Sequence, residues 1–126
     1  MLCFTVQDLI KMEKYTIPFH VTDWTKIPAT THKGESGIAT WQTLQLGGLR
    51  IRKVEYSENY VADHWCEKGH LFFVLEGALT TELRDGRKFE MTPGKSYEVS
   101  DDESSHRSVT SGGAKLLIID GSFLAK

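Results

Sequence analysis

Asp63-His64-Trp65-Cys66-Glu67-Lys68-Gly69-His70-Leu71-Phe72-Phe73-Val74-Leu75-Glu76-Gly77 is the stretch on which the fold of this chain is decided. Three metal-capable side chains, His64, Cys66 and His70, fall within seven residues, and His106 follows in a polar loop nearer the C-terminus. Neutral imidazole and thiolate are the groups that hold borderline ions such as zinc, iron(II), nickel or cobalt. Along a strand successive side chains point to opposite faces, so an extended backbone here puts His64 and Cys66 on one face and Trp65 on the other. Lys68-Gly69 then reads as a turn. The apolar, aromatic-rich run from His70 to Leu75 reads as a buried strand that opens with an imidazole. A hairpin-like return brings that imidazole beside the other two. The alternative is a satisfied core histidine and an inert buried cysteine, since free cysteine behaves as a small hydrophobe.

The pattern His64-x-Cys66-x-x-x-His70, six residues, Gly77 resembles the first cupin motif, which reads His-x-His, three or four residues, Glu, six residues, Gly. Pro93-Gly94-Lys95 resembles the proline-glycine-acid turn of the second motif, and His106 falls where its histidine stands, after a longer and more acidic loop. The resemblance spans residues 44–120, and the Asp63-His64-Trp65-Cys66 block is similar to a small cupin group named for its Asp, His, Cys and Trp residues. It implies an all-β protein, a double-stranded β-helix or jelly-roll barrel with a metal at its centre. It does not imply one reaction.

Two departures from the motif bear on the metal. Cys66 stands where the second histidine would be, and His70 where the glutamate would be. Together they conserve charge, because a thiolate replaces the carboxylate and leaves three neutral imidazoles and one anion around a divalent ion. The implied ligand set is His64, Cys66, His70 and His106. Sulfur shifts preference from manganese or magnesium toward zinc or iron(II), with nickel or cobalt as alternatives. A site of three histidines with Cys66 as a non-ligating neighbour is the other arrangement.

Length and composition suit such a domain. A chain of 126 residues can bury one core, and 25% charged residues with a formal net charge of -2 describe an ordinary globular protein. We expect a loose leader over residues 1–14 and a single barrel domain over 15–126. Basic residues are dispersed, which argues against nucleic acid as a partner. The N-terminus lacks the basic start, long apolar run and small-residue cleavage site of a signal peptide, and no stretch approaches a membrane span. With two cysteines and no disulfide framework, the cytoplasm is the expected compartment.

Turn chemistry separates the remaining strand-like runs. Residues 37–46 and 49–56 flank Gly47-Gly48, and 78–84 and 87–91 flank Asp85-Gly86, both two-residue hairpin signals. Runs 95–99, 106–110 and 114–120 complete the set, the last two joined by Ser111-Gly112-Gly113. A short helical turn is expected near residues 6–12. In the strand at 49–56, alternation puts Arg50, Arg52, Val54 and Tyr56 on one face. Arg52 could therefore point into the barrel and bind a ligand carboxylate, or it could be solvated or neutralised by Glu76 or Glu82. Asp101-Asp102-Glu103 reads as a solvated acidic loop, with an extra carboxylate ligand or general base as the alternative. His20 and His32 read as structural or exposed, and the large aromatics as core filling.

Two function classes follow. One is a metal-dependent enzyme acting on a small anionic or oxygen-rich molecule, with open coordination positions on the ion. The other is a binding or sensing protein whose metal is structural, as in a closed four-coordinate zinc site. Leu71, Phe73 and Leu75 face opposite to His70, Phe72 and Val74, so one apolar set needs cover outside the barrel, and we expect a homodimer.

Overall fold

The computed structural model describes residues 16–126, so the expected leader and the helical turn at 6–12 lie outside the described residues. Nine strands follow in order: β1 (Ala29–Lys33), β2 (Ile38–Leu46), β3 (Leu49–Tyr56), β4 (His70–Gly77), β5 (Leu79–Leu83), β6 (Lys88–Met91), β7 (Ser96–Val99), β8 (His106–Val109) and β9 (Ala114–Gly121). They form a six-stranded sheet, β1-β2-β3-β9-β4-β7, and a three-stranded sheet, β6-β5-β8. Every strand pair within them is antiparallel. Among the described residues the only helical elements are two 3-10 turns, Trp24–Lys26 and Ser122–Leu124. No helix among them is long and apolar enough to cross a membrane.

Alternation decides what is buried. Val54 and Tyr56 of β3, Phe72 and Val74 of β4, Leu116 and Ile118 of β9, Leu79 of β5 and Met91 of β6 form one core between the sheets. The same alternation turns Leu71, Phe73 and Leu75 outward, and Phe73 and Leu75 remain 37% and 48% exposed. Register aligns Leu71 with Ile119, Ile119 with Ile51, and Ile51 with Leu44, so an apolar row crosses four strands on the outer face. Gly77 ends β4 with φ +75, and a Cβ there would lie 2.2 Å from the Gly113 carbonyl oxygen. The last glycine of the motif thus meets both a left-handed backbone and a close approach to the start of β9.

Two expectations change. β1 was not signalled, because Ala29-Thr30-Thr31-His32-Lys33 is a largely exposed edge strand without an apolar alternation. The strand expected through His64 and Cys66 does not form. Residues 57–69 are irregular, with bends at Asp63 and His64, and are held by isolated bridges pairing Val61 with Ser36 and Val109, and Cys66 with His106. The bends break the period-two alternation, so Cys66 is half-buried while His64 faces solvent.

Candidate metal centre

Cys66 and His106 belong to different chain segments but are locked backbone to backbone. The Cys66 amide donates to the His106 carbonyl at 2.8 Å, and the His106 amide donates to the Cys66 carbonyl at 3.1 Å. His70 arrives from β4 after the turn at Gly69, whose amide donates to Asp101 Oδ1 at 2.7 Å. A Cβ on Gly69 would stand 2.5 Å from the Val99 carbonyl oxygen, so only glycine lets the chain turn this tightly into β4. Asp101 also pairs with Lys68 at 3.4 Å, and Glu103 with Lys126 at 3.0 Å. The acidic loop therefore shapes the turn, and its carboxylates are not among the grouped donors.

Each imidazole has its tautomer set by an acceptor. His70 Nδ1 donates to Asp120 Oδ2 at 2.9 Å, and His106 Nδ1 donates to the Ser104 carbonyl at 2.9 Å. Both Nε2 atoms are left unprotonated, each with a lone pair to give, the arrangement by which outer partners orient metal-ligating histidines. His106 Nε2 is buried and makes no hydrogen bond, and His70 Nε2 lies 3.6 Å from Cys66 Sγ. The donor atoms of Cys66, His70 and His106 all fall within 4.8 Å of one another. Two oriented imidazoles and one sulfur, with an otherwise orphaned lone pair, fit a divalent transition ion.

Burial lowers the pKa of both imidazoles, and it lowers that of His70 against the opposing pull of the Asp120 hydrogen bond. Both are therefore held neutral, as ligation requires. Burial also pushes the Cys66 thiol up, so metal-free Cys66 keeps its proton at neutral pH.

Behind His70 lies a charged cluster. Asp120, 1% exposed, accepts from Arg50 Nε at 2.8 Å, from Arg50 Nη2 at 2.9 Å and from Arg52 Nη2 at 3.1 Å. Burial alone would raise the Asp120 carboxyl, but His70, Arg50 and Arg52 outweigh it and hold it far below the ordinary carboxylate range. Arg52 points inward and its guanidinium sits 4.4 Å from the Trp41 ring centroid. Its internal partner is Asp120 and neither of the glutamates expected from sequence. Glu82 pairs with Arg107 and Lys88, and Glu76 pairs with Lys115. Arg52 Nε is buried without a hydrogen bond.

These groups line a cavity of about 270 Å³, walled by Trp41, Val54, Phe72 and Ile118 and bordered by Arg50, Arg52, Lys68 and Arg107. None of its lining residues is an aspartate or glutamate. His64 also lines it, but its side chain is 73% exposed and its Nδ1 pairs with Asp63 at 2.7 Å. It is not within the group formed by Cys66, His70 and His106. Trp65 lies under the Arg107 guanidinium, 4.6 Å from ring centroid to charge.

Asp120 is the residue that sequence reasoning missed. The available signal was a carboxylate alternating with Leu116 and Ile118 on the otherwise apolar inward face of β9.

No protein-family model matches the sequence, and no curated relative does. Solved structures do. A sugar phosphate isomerase from a cupin superfamily, from Silicibacter pomeroyi, superposes with a TM-score of 0.63 at 16% identity, over 81% of this chain and 75% of that one. The fold is a cupin barrel. The polyketide cyclase RemF from Streptomyces resistomycificus matches with a TM-score of 0.66 and 20% identity over 82% of this chain and 80% of the cyclase. Fe(II)-HppE, solved with an alternative substrate, matches with a TM-score of 0.68 and 14% identity over 81% of this chain. This chain spans 60% of the HppE chain. At such identities the likeness establishes architecture, and the chemistry rests on the side chains.

Proposed function

We propose that this cupin binds one divalent transition ion, zinc or iron(II) foremost, through Cys66, His70 and His106, and is a metal-dependent enzyme for a small anionic or oxygen-rich molecule. The observation that carries the reading is the buried, unpartnered Nε2 of His106 within 4.8 Å of the Cys66 and His70 donors. His64 is the fourth ligand of the proposal. It borders the same cavity, and exchanging its bond with the neighbouring Asp63 is the step that brings it in. Such an ion would supply Lewis acidity toward a bound oxygen.

The protein's own groups select the ligand. Lys68 and Arg107 at its border are paired with Asp101 and Glu82, but Arg50 and Arg52 share the one carboxylate of Asp120, and that surplus positive charge favours an anion. Arg52 is the proposed second contact, because its buried Nε–H has no partner within the protein. Asp120 holds Arg52 in place and fixes the His70 ring. Phe72, Val54 and Ile118 keep the inner wall apolar, which strengthens charge interactions there.

A second reading rests on the sulfur donor. Thiolate with imidazoles suits tetrahedral zinc, and if His64 closes the set the ion has no open position and the protein is a binding or sensing cupin. Elemental analysis followed by a thermal-shift screen separates the two. Anionic chelating metabolites should stabilise the metal-loaded protein and not the metal-free one. Tetrahedral zinc with no responding anion would favour the structural-metal reading. We further propose a homodimer through the apolar outer row and a cytoplasmic location, with neither nucleic acid nor membrane as partner.

A further inference from the structure

The three-stranded sheet presents its own inner surface. In-register pairing places Leu83 opposite His106, Thr81 opposite Phe89, and Leu79 opposite Met91, so these residues share the face turned toward β7. Between that face and β7 lies a second cavity, of about 370 Å³, which includes Thr81, Leu83, Phe89, Met91, Tyr97 and His106 in its lining. Tyr97 and His106 also line the first cavity, so they form a shared partition.

Two buried polar atoms of this lining lack a partner, His106 Nε2, described above, and Thr81 Oγ1. Thr81 is 3% exposed, and its Oγ1 is buried without a hydrogen bond. A buried hydroxyl without a partner is costly, and it can both donate and accept. The charged residues at the edge are already engaged. Arg87 pairs with Asp85 at 2.8 Å, Glu103 with Lys126 at 3.0 Å, and Glu98 accepts from Ser96 Oγ at 2.6 Å. An anionic ligand would therefore meet no free counter-charge, since Arg87 is already paired, whereas an apolar ring would meet Leu83, Phe89 and Met91.

We propose that this cavity is a second small-molecule site, distinct from the cationic one, for a neutral ring-sized alcohol or ketone whose single oxygen bonds the Thr81 hydroxyl. Its size falls at the lower end of the usual range for ligand pockets. The inference stands on the metal-free protein and does not depend on the metal reading.

Phenol, cyclohexanol and benzoate serve as probes, titrated into the full metal-free chain with ¹³C-labelled methyl groups. Phenol and cyclohexanol should shift the methyl signals of Thr81, Leu83 and Met91 while leaving Val54 and Ile118 of the first cavity in place. Benzoate should bind at the second cavity on the order of tenfold more weakly, for want of a counter-charge. Thr81→Val keeps the side-chain shape and should weaken phenol binding about fivefold, the cost of one neutral hydrogen bond. The proposal is overturned if phenol shifts none of the second-cavity methyls, if it shifts Val54 and Ile118 instead, or if Thr81→Val binds phenol as tightly as the parent. Should the variant not fold, the titration of the unmodified protein still decides whether the site exists.

Discussion

Asp120 and His70 meet across the neighbouring strands β9 and β4 through one hydrogen bond of 2.9 Å, Nδ1 to Oδ2, and the same carboxylate is the counter-charge of Arg50 and Arg52. One buried group thus orients a candidate ligand and neutralises the arginine proposed to meet a substrate. Replacing it removes both functions at once. Asp120→Ala should destabilise the fold by about 3–5 kcal/mol, because it strands buried cationic charge. Asp120→Asn keeps the shape and should lower metal affinity by roughly 10–100-fold. Urea denaturation and metal competition titrations measure the two effects, and unchanged values in both would remove Asp120 from the site.

Cys66→Ser and His106→Ala should each cut metal affinity by more than the roughly 10–100-fold expected for loss of an outer partner. His64→Ala should cost less, because its imidazole lies outside the grouped donors. Metal content after dialysis against a graded chelator gives the order of effects. Full occupancy in Cys66→Ser would take sulfur out of the ligand set.

The metal-free fold should lose stability as pH falls from neutrality. His70 and His106 titrate below the ordinary histidine value of 6.5 in the folded chain, so below 6.5 the unfolded state binds protons that the folded state refuses. Stability therefore declines as pH drops from 6.5 through the lowered folded values. Asp120, depressed far below its ordinary range, adds a further loss in stronger acid. A bound ion should move the first decline to lower pH, since ligation requires neutral imidazole. Thermal melting against pH, with and without zinc, checks both the sign and the shift.

Gly77→Ala should destabilise the barrel by roughly 1–3 kcal/mol, the cost of a non-glycine residue held in a left-handed conformation. The steric clash with the Gly113 carbonyl adds to that figure. Gly86→Ala shares a positive φ but meets no atom within 4 Å, so it should cost less. Comparison of the two melting temperatures isolates the close approach.

Phe73→Glu should convert a dimer into a monomer without loss of the fold, because Phe73 is 37% exposed and faces away from the core. Light scattering across a wide concentration range reports the mass. A monomeric parent protein would refute the proposed pairing.

The barrel was legible where side chains alternate strictly. β3 matches its expected bounds, and His70, Phe72 and Val74 point inward as the run from His70 to Leu75 implied. Period-two patterning carries that information because one face of each strand is buried. β1 escaped notice because an exposed edge carries no such pattern. In the site, Cys66, His70 and His106 were visible as residue types, and the structure draws them together. Placing His64 with them relied on a strand that the bends at Asp63 and His64 interrupt. Asp120 was invisible to motif spacing, since it sits 50 residues after His70 and meets it only through the pairing of β4 with β9.

The twin amide bonds between Cys66 and His106 have a consequence for how this barrel can diversify. They anchor the sulfur to β8 regardless of what the rest of the irregular segment does. Residues on either side of the anchor, His64, Trp65 and Glu67, lie at the cavity mouth or on the surface and carry no strand register that must be preserved. Insertions or exchanges there can redraw the entrance while the donor atom stays where it is. In this chain, access to the site and the geometry of its donors are set by separate contacts.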